Sequence, residues 1–325
     1  MVAVEEAATG RTAVSAFEAV ANEAVSQCLR QGSRRPDDHR RRWRYLCSIG
    51  ADDLDLARLV EAHVDAATIN FELGGPPVQP GQYWGVWAAE SPSSRVEGLV
   101  DNRGAWQLSG TKQWCSGATV CTHALITAHC RDGPRLFAVD CGDGVVPGEP
   151  SWQGVGMAGS DTRHVTLHAV PAVPVGGPSA YLDRPGFWYG AVSVAACWLG
   201  GAVGIAGPLY RAGARGRLDE HGRAHLGAVD ASLAGSRWAL SSAAEELWDD
   251  ANTGHVTALR VRAIVEDTTR VVIDRVGRAL GPGPLATDGE HSRRIADLTT
   301  YVRQSHAERD LAALAELLDE SDGDR

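Results

Sequence analysis

The chain has 325 residues and a mass of 34.5 kDa, room for one large domain or two smaller ones. Its 44% hydrophobic content is enough for a sizeable core and excludes long-range disorder. Lys and Arg total 31 against 41 Asp and Glu, a net charge of -10, which argues against a general nucleic-acid binder.

The N-terminus, MVAVEEAATG, is acidic and lacks an apolar run, so no signal peptide is expected. Val14, Phe17, Val20, Ala21, Val25 and Leu29 recur at helical spacing and predict a helix over 13–30. The segment QGSRRPDD breaks that pattern at Pro36. Residues 39–74 read as two more helices, with Leu54, Leu56, Leu59, Val60, His63 and Ala67 at helical intervals, ended by Gly74, Gly75, Pro76 and Pro77. Seven arginines crowd this region: Arg30, Arg34, Arg35, Arg40, Arg41, Arg42 and Arg44. Such a run is a solvated face, a phosphate grip for a CoA- or carrier-linked substrate, or a nucleic-acid contact. The net charge, and the lack of interleaved aromatics beyond Trp43 and Tyr45, weigh against the last.

From Tyr83 to about Pro174 the hydrophobic period changes from 3.6 to 2. Tyr83–Ala88 is rich in strand-forming residues. Val96–Val100 and Ala105–Ser109 flank the turn DNRG, Ala124–His129 and Arg135–Val139 flank RDGP, and Val165–Val170 alternates. From Gly186 the helical period returns, predicting long helices at about 190–214, 223–251, 255–279 and 289–318, with GPGP at 281–284 between the last two. Helices of that length pack as an antiparallel four-helix bundle. No charge lies between Arg184 and Arg211. That stretch is long enough to span a membrane. Its Gly, Ala and Ser content instead predicts a core helix packed closely through small residues, with no membrane involved.

The expected organisation is therefore an N-terminal helical region (1–80), a central β domain (81–182) and a C-terminal bundle (183–325). Seven cysteines, an odd number with no C-x-x-C pair, argue against a disulfide framework or a zinc site and fit a reducing cytoplasm. Lys112 is the sole lysine.

Three segments carry a resemblance. Gly104–Ser116 reads GAWQLSGTKQWCS, Gly156–Pro174 reads GMAGSDTRHVTLHAVPAVP, and Tyr181–Gly207 ends in AACWLGGAVGIAG. Together they look like the acyl-CoA dehydrogenase family of flavoproteins. The resemblance covers roughly residues 80–310 and implies an α+β fold of N-terminal helices, central β domain and C-terminal four-helix bundle. It implies FAD, with FMN as the alternative, and a homodimer or homotetramer in which a neighbouring subunit completes the site. Trp114 matches the tryptophan packed against the flavin, and Ser116 stands where the family has a flavin-bonding Thr. In WAAESP, Ala88, Ala89 and Glu90 match a flavin-contacting segment in which the family's Thr has become Ala89. Gly281 and Gly283 match a glycine-rich turn near a partner's pyrophosphate, with Arg278 placed to add charge. Read alone, Trp114 is more readily a core aromatic, and Arg278 a solvated or ion-paired helix residue.

The implied activity is oxidation of a small acyl thioester, on CoA or a carrier protein, in a specialised pathway. That chemistry needs a carboxylate base at the substrate α carbon. The family places it in one of two positions. One falls near Val194, where no acid exists between Asp183 and Asp219; the other falls at Ser305 or His306 in TTYVRQSHAERD. His306 and Glu308 are the nearest candidates. The family's R-x-x-F-G segment also lacks its Phe here, in RAGARGRLDEHG. Two alternatives stand beside the dehydrogenase: a flavin monooxygenase on the same scaffold, which needs no such base, and a catalytically silent relative that binds a partner.

Overall fold

The helical period at the N-terminus becomes α1 (Val2–Cys28), α2 (Pro36–Asp52) and α3 (Leu54–Leu73) in the computed structural model, which describes residues 2–28, 35–92, 94–249 and 254–323. Arg30 and Arg34 lie outside the described residues. Pro36 opens α2 instead of merely ending the preceding pattern: its fixed φ suits the first helical turn, where its missing N–H costs nothing. The chain falls into two units, Met1–Leu29 with Arg58–Gly154 and Ala158–Phe187, and Arg30–Ala57 with Val155–Met157 and Trp188–Arg325.

The first unit is built on seven strands: β1 (Trp84–Trp87), β2 (Val96–Val100), β3 (Trp106–Cys115), β4 (His123–Cys130), β5 (Gly133–Asp140), β6 (Val145–Pro147) and β7 (Arg163–Val175). Both expected hairpins form, β2 with β3 around DNRG and β4 with β5 around RDGP. The order β1-β4-β2-β3-β7-β5 returns to β4, so the sheet closes on itself. β6 pairs β7; it is too short to show a period in the sequence. β3 runs six residues past Ser109, its expected end, and so carries the GTKQWC segment into the sheet. Ile69 and Ala66 of α3 pack with Trp84, Leu125, Leu136, Ala138 and Val175. His63 of α3 is fully buried, and its Nδ1 accepts from the Trp84 main-chain N–H at 3.1 Å. Burial pushes its pKa down to about 4. Arg184 donates to Glu72 at 2.7 Å and lies 3.5 Å from Asp65, a buried ionic tie between α3 and the residues after α4 (Ala180–Asp183).

The second unit holds α2, α5 (Gly186–Ala214) from Trp188 onward, α6 (Glu220–Asp249), α7 (Gly254–Leu280), α8 (Gly283–Thr287), α9 (Gly289–Tyr301) and α10 (Glu308–Gly323). α5 has the length and hydropathy of a membrane span, but 72% of its most apolar window is buried. It is a core helix. Its small residues admit α2: a Cβ on Gly200 would lie 2.4 Å from the Cys47 carbonyl oxygen. The indole N–H of Trp43 donates to Ser193 Oγ across the same contact.

The structure corrects two expectations here. The helix expected over 289–318 is interrupted: a 3-10 turn at Val302–Gln304 follows α9, Ser305 is extended, and Ala307 has φ +47°. The cause is local side-chain competition. Ser305 Oγ accepts from the Ala307 N–H, and the Asp310 carboxylate accepts from the His306 N–H. The arginine run is also less solvated than a surface charge run would be. Arg40 donates to Glu245 and Ser241 of α6, Arg41 pairs with Asp38, and Arg42 is buried.

Candidate functional site

In the first unit the site grows from the end of β3. Pairing of β3 with β7 slips between Lys112 and Cys115, and the displaced residue is Trp114. Its φ is +61° and the residue is 57% exposed. A bulky residue in the left-handed region is strained by about 1–2 kcal/mol, and such strain clusters at functional sites. Trp152 meets it edge-on at 6.2 Å. The two indoles form an aromatic ledge, so Trp114 is not a core aromatic.

Two residues on, Ser116 is buried. Its Oγ lies 2.9 Å from Thr162 Oγ1, which lies 2.8 Å from Ser160 Oγ, and its carbonyl accepts from the Trp87 indole N–H. The GSDTR segment explains itself here. Asp161 accepts from the Thr119 N–H and hydroxyl at 2.8 and 2.6 Å and from Arg163 Nε at 2.6 Å. It thereby pins the loop behind the ledge.

On the neighbouring strands, buried Lys112 uses its three donors on Glu90 Oε1 (2.9 Å), Thr127 Oγ1 (2.7 Å) and the Thr127 carbonyl (3.2 Å). Glu90 also accepts from Thr127 Oγ1 and faces His129 Nε2 at 3.3 Å. Burial opposes ionisation of Glu90, but the bonds from Lys112 and Thr127 and the lysine charge outweigh it and hold its pKa below the usual carboxylate value. The lysine thus fixes the segment Ala88–Glu90, in which Ala88 is half-buried and Ala89 exposed.

In the second unit the turn between α9 and α10 presents His306, 64% exposed at its side chain, with Nδ1 3.2 Å from Asp310 Oδ1. A carboxylate on one ring nitrogen orients the ring. Glu308 is exposed. Under the turn sits Glu266 of α7, 4% exposed at its side chain, bonded by Arg270 at 2.9 Å and Ser305, with Arg303 at 3.6 Å. Burial would raise its pKa; the Ser305 and Arg270 bonds and the two arginine charges lower it below the usual value. Arg262, one turn earlier on α7, donates to the Ala191 carbonyl at 3.1 Å and reaches the Gln304 carbonyl at 3.5 Å, with its Cζ 4.7 Å from the centroid of the Trp198 ring. Arg278 is 61% exposed and lies 3.5 Å from Asp274. Gly281 has φ +66°, with open space where a Cβ would stand, and Gly283 opens α8.

Sequence reasoning missed Asp310, Glu266 and Arg262. The last two are four apart on one face of α7, with Glu266 buried and Arg262 half-buried, which is the signal that was there to find.

No protein-family model and no curated protein matches the sequence. Solved structures do. Butyryl-CoA dehydrogenase of Megasphaera elsdenii aligns with a TM-score of 0.80 at 14% identity, covering 93% of this chain and 88% of that one. KijD3, in complex with FMN and dTDP-3-amino-2,3,6-trideoxy-4-keto-3-methyl-D-glucose, aligns at 0.78 and 17% identity, covering 98% and 92%. TdsC of Paenibacillus sp. A11-2, a dibenzothiophene monooxygenase solved with FMN and indole, aligns at 0.75 and 16% identity, covering 97% and 96%. The chain has the acyl-CoA dehydrogenase fold. Within this fold the ledge at Trp114 belongs to the first unit and the turn at His306 to the second.

Proposed function

We propose that this acyl-CoA dehydrogenase-fold chain is a flavin-dependent oxidoreductase, and specifically a monooxygenase fed with reduced flavin by a partner reductase. The observation that carries the reading is the state of the two base positions. α5 holds no acid near Val194, and the turn at 304–306 offers Gln304, Ser305 and His306. The buried carboxylate beneath, Glu266, is stabilised as an anion by Ser305 and two arginines, which makes it a weak base. Proton abstraction α to a thioester is left without its carboxylate. Oxygenation has no such requirement.

The chain's own residues fit a flavin. Trp114 is a strained, exposed plate with Trp152 at its edge, the arrangement that covers a planar ring system. Ser116 would present its hydroxyl to the ring, steadied by Thr162, and Ala88, Ala89 and Glu90 would flank it, locked by Lys112. The bound flavin supplies the redox chemistry. FMN is favoured over FAD by the FMN complexes of TdsC and KijD3. Arg278, Gly281 and Gly283 are the groups for phosphate, across a homodimer or homotetramer. His306, oriented by Asp310, moves a proton on the substrate; Glu308 is the secondary candidate.

Acyl thioester oxidation is the second reading, favoured by the likeness to butyryl-CoA dehydrogenase, with His306 or Glu308 as base. The visible spectrum of the freshly purified chain, with FMN and FAD added, tests the proposal. A bound band near ~450 nm supports a flavin enzyme. Bleaching by acyl thioesters without air selects the dehydrogenase, and substrate-dependent oxygen uptake with a reductase selects the monooxygenase. A protein that stays colourless with either flavin overturns both and leaves a partner-binding scaffold.

A further inference from the structure

We infer that Ser116, Thr162 and Ser160 form a reversible hydroxyl relay that lets one site hold a flavin in both of its redox forms. The Ser116 and Thr162 hydroxyl oxygens lie 2.9 Å apart and those of Thr162 and Ser160 2.8 Å apart, and in each pair either oxygen can donate. A hydroxyl has one hydrogen and two lone pairs. Thr162, in the middle, therefore gives its hydrogen to one serine and accepts from the other. What meets the Ser116 end sets the direction of the whole row, and there the bond with Thr162 is the hydroxyl's sole one among the described residues. The fixed donors around it are already engaged. The main-chain N–H groups of Gly117, Ala118 and Thr119 go to the Ser160 carbonyl, the Asp161 carbonyl and the Asp161 carboxylate, and the Ser116 carbonyl takes the Trp87 indole N–H. The frame is fixed as well: Ser116 and Ser160 are buried, and Asp161, at φ +46°, is held by Thr119 and Arg163. Hydrogens can turn there while the oxygens stay. An oxidised flavin offers a bare ring nitrogen that accepts, and the reduced ring carries a hydrogen on it that donates. With the first, the hydrogens point from Ser160 through Thr162 and Ser116 to the ring; with the second they all point the other way. Each hydroxyl keeps its own hydrogen, so no proton crosses the relay. A monooxygenase supplied with reduced flavin meets both forms in every turnover, and a donor of fixed direction would favour only one.

The inference rests on the proposed function for the flavin beside Ser116, and the test separates the two. Affinity for oxidised FMN, and for dithionite-reduced FMN without air, is measured on the full chain by quenching of tryptophan fluorescence. Ser116→Ala should weaken both forms, each about 3- to 10-fold, the worth of one net hydrogen bond. The two losses should agree within about 3-fold, so the potential of bound FMN moves by less than about 15 mV, at about 30 mV per tenfold for two electrons. Thr162→Val keeps the bulk but breaks the row, and should also weaken both forms; Thr162→Ser should restore both. The double variant of Ser116→Ala and Thr162→Val should lose no more than Ser116→Ala alone, because the two act as one unit. A loss confined to one redox form, unchanged affinity in Ser116→Ala, or a Thr162→Val variant equal to wild type overturns the inference, while bound FMN keeps the flavin reading. Should Thr162→Val fail to fold, Ser160→Ala breaks the row at its far link and takes its place. A chain that binds neither form of FMN overturns both.

Discussion

Replacing Trp114 with Gly separates a cofactor plate from a packing residue. Trp114 is 57% exposed. The buried remainder of a side chain of ~250 Å² is roughly 100 Å², worth ~2.5 kcal/mol at ~25 cal/mol/Å², an upper figure because the unfolded chain hides part of it. Glycine accepts φ +61° without penalty, which returns about 1–2 kcal/mol of left-handed strain, while its greater freedom when unfolded costs about 0.5–1 kcal/mol. The net loss is about 1–2.5 kcal/mol. A tryptophan serving as core would cost about 3–5 kcal/mol or more. Urea unfolding of the flavin-free protein reads this number. Flavin affinity, followed by quenching of flavin fluorescence, should fall more sharply, since aromatic stacking is worth about 1–3 kcal/mol, or about 5- to 150-fold. A variant destabilised by more than ~4 kcal/mol with unchanged flavin affinity would refute the assignment.

Two further outcomes follow from buried titratable groups. His63 has a folded pKa of about 4 against an unfolded value near ~6.5, so below ~6.5 the unfolded chain takes up the proton that the native state refuses. Stability should fall by roughly 3 kcal/mol between pH ~6.5 and ~4; His63→Gln, compared with wild type by urea midpoints across that range, should remove this loss, and parallel curves would sink the idea. Glu266 is shifted the other way: its folded pKa is depressed, so its contribution is complete above the unfolded carboxylate value and lost as pH falls through the folded one. Glu266→Gln should therefore cost about 1–3 kcal/mol at pH 7 and converge on wild type below pH ~4.5, and a constant difference down to pH 3 would show the carboxylate charge to be irrelevant.

The architecture was legible because its signals are periodic. The change from a 3.6 to a 2 residue period at Tyr83, and back at Gly186, marks where sheet replaces helix, and DNRG and RDGP each close the hairpin their composition predicts. The sheet's closure was not legible. It depends on one parallel pairing, Glu97 with His129, between residues 32 positions apart with nothing local to announce it. The break at 302–307 was hidden for the opposite reason. Its cause is local, but it lies in Ser305 and Asp310 side chains bonding main-chain N–H groups, which leaves the apolar spacing on either side intact.

The same distinction decides what could be read of the site. Trp114 stood out because GTKQWC is a contiguous string, and its strained exposure adds a physical reason for the string. Lys112 was conspicuous as the one lysine, yet its work is to lock Glu90 from another strand, a relation across 22 residues. Arg262 and Glu266 were invisible because each acquires meaning only from the turn folded against it: Gln304 for one, Ser305 for the other. α7 supplies both signs beside that turn: Glu266 is paired with Arg270 and Arg303, and Arg262 reaches the Ala191 and Gln304 carbonyls.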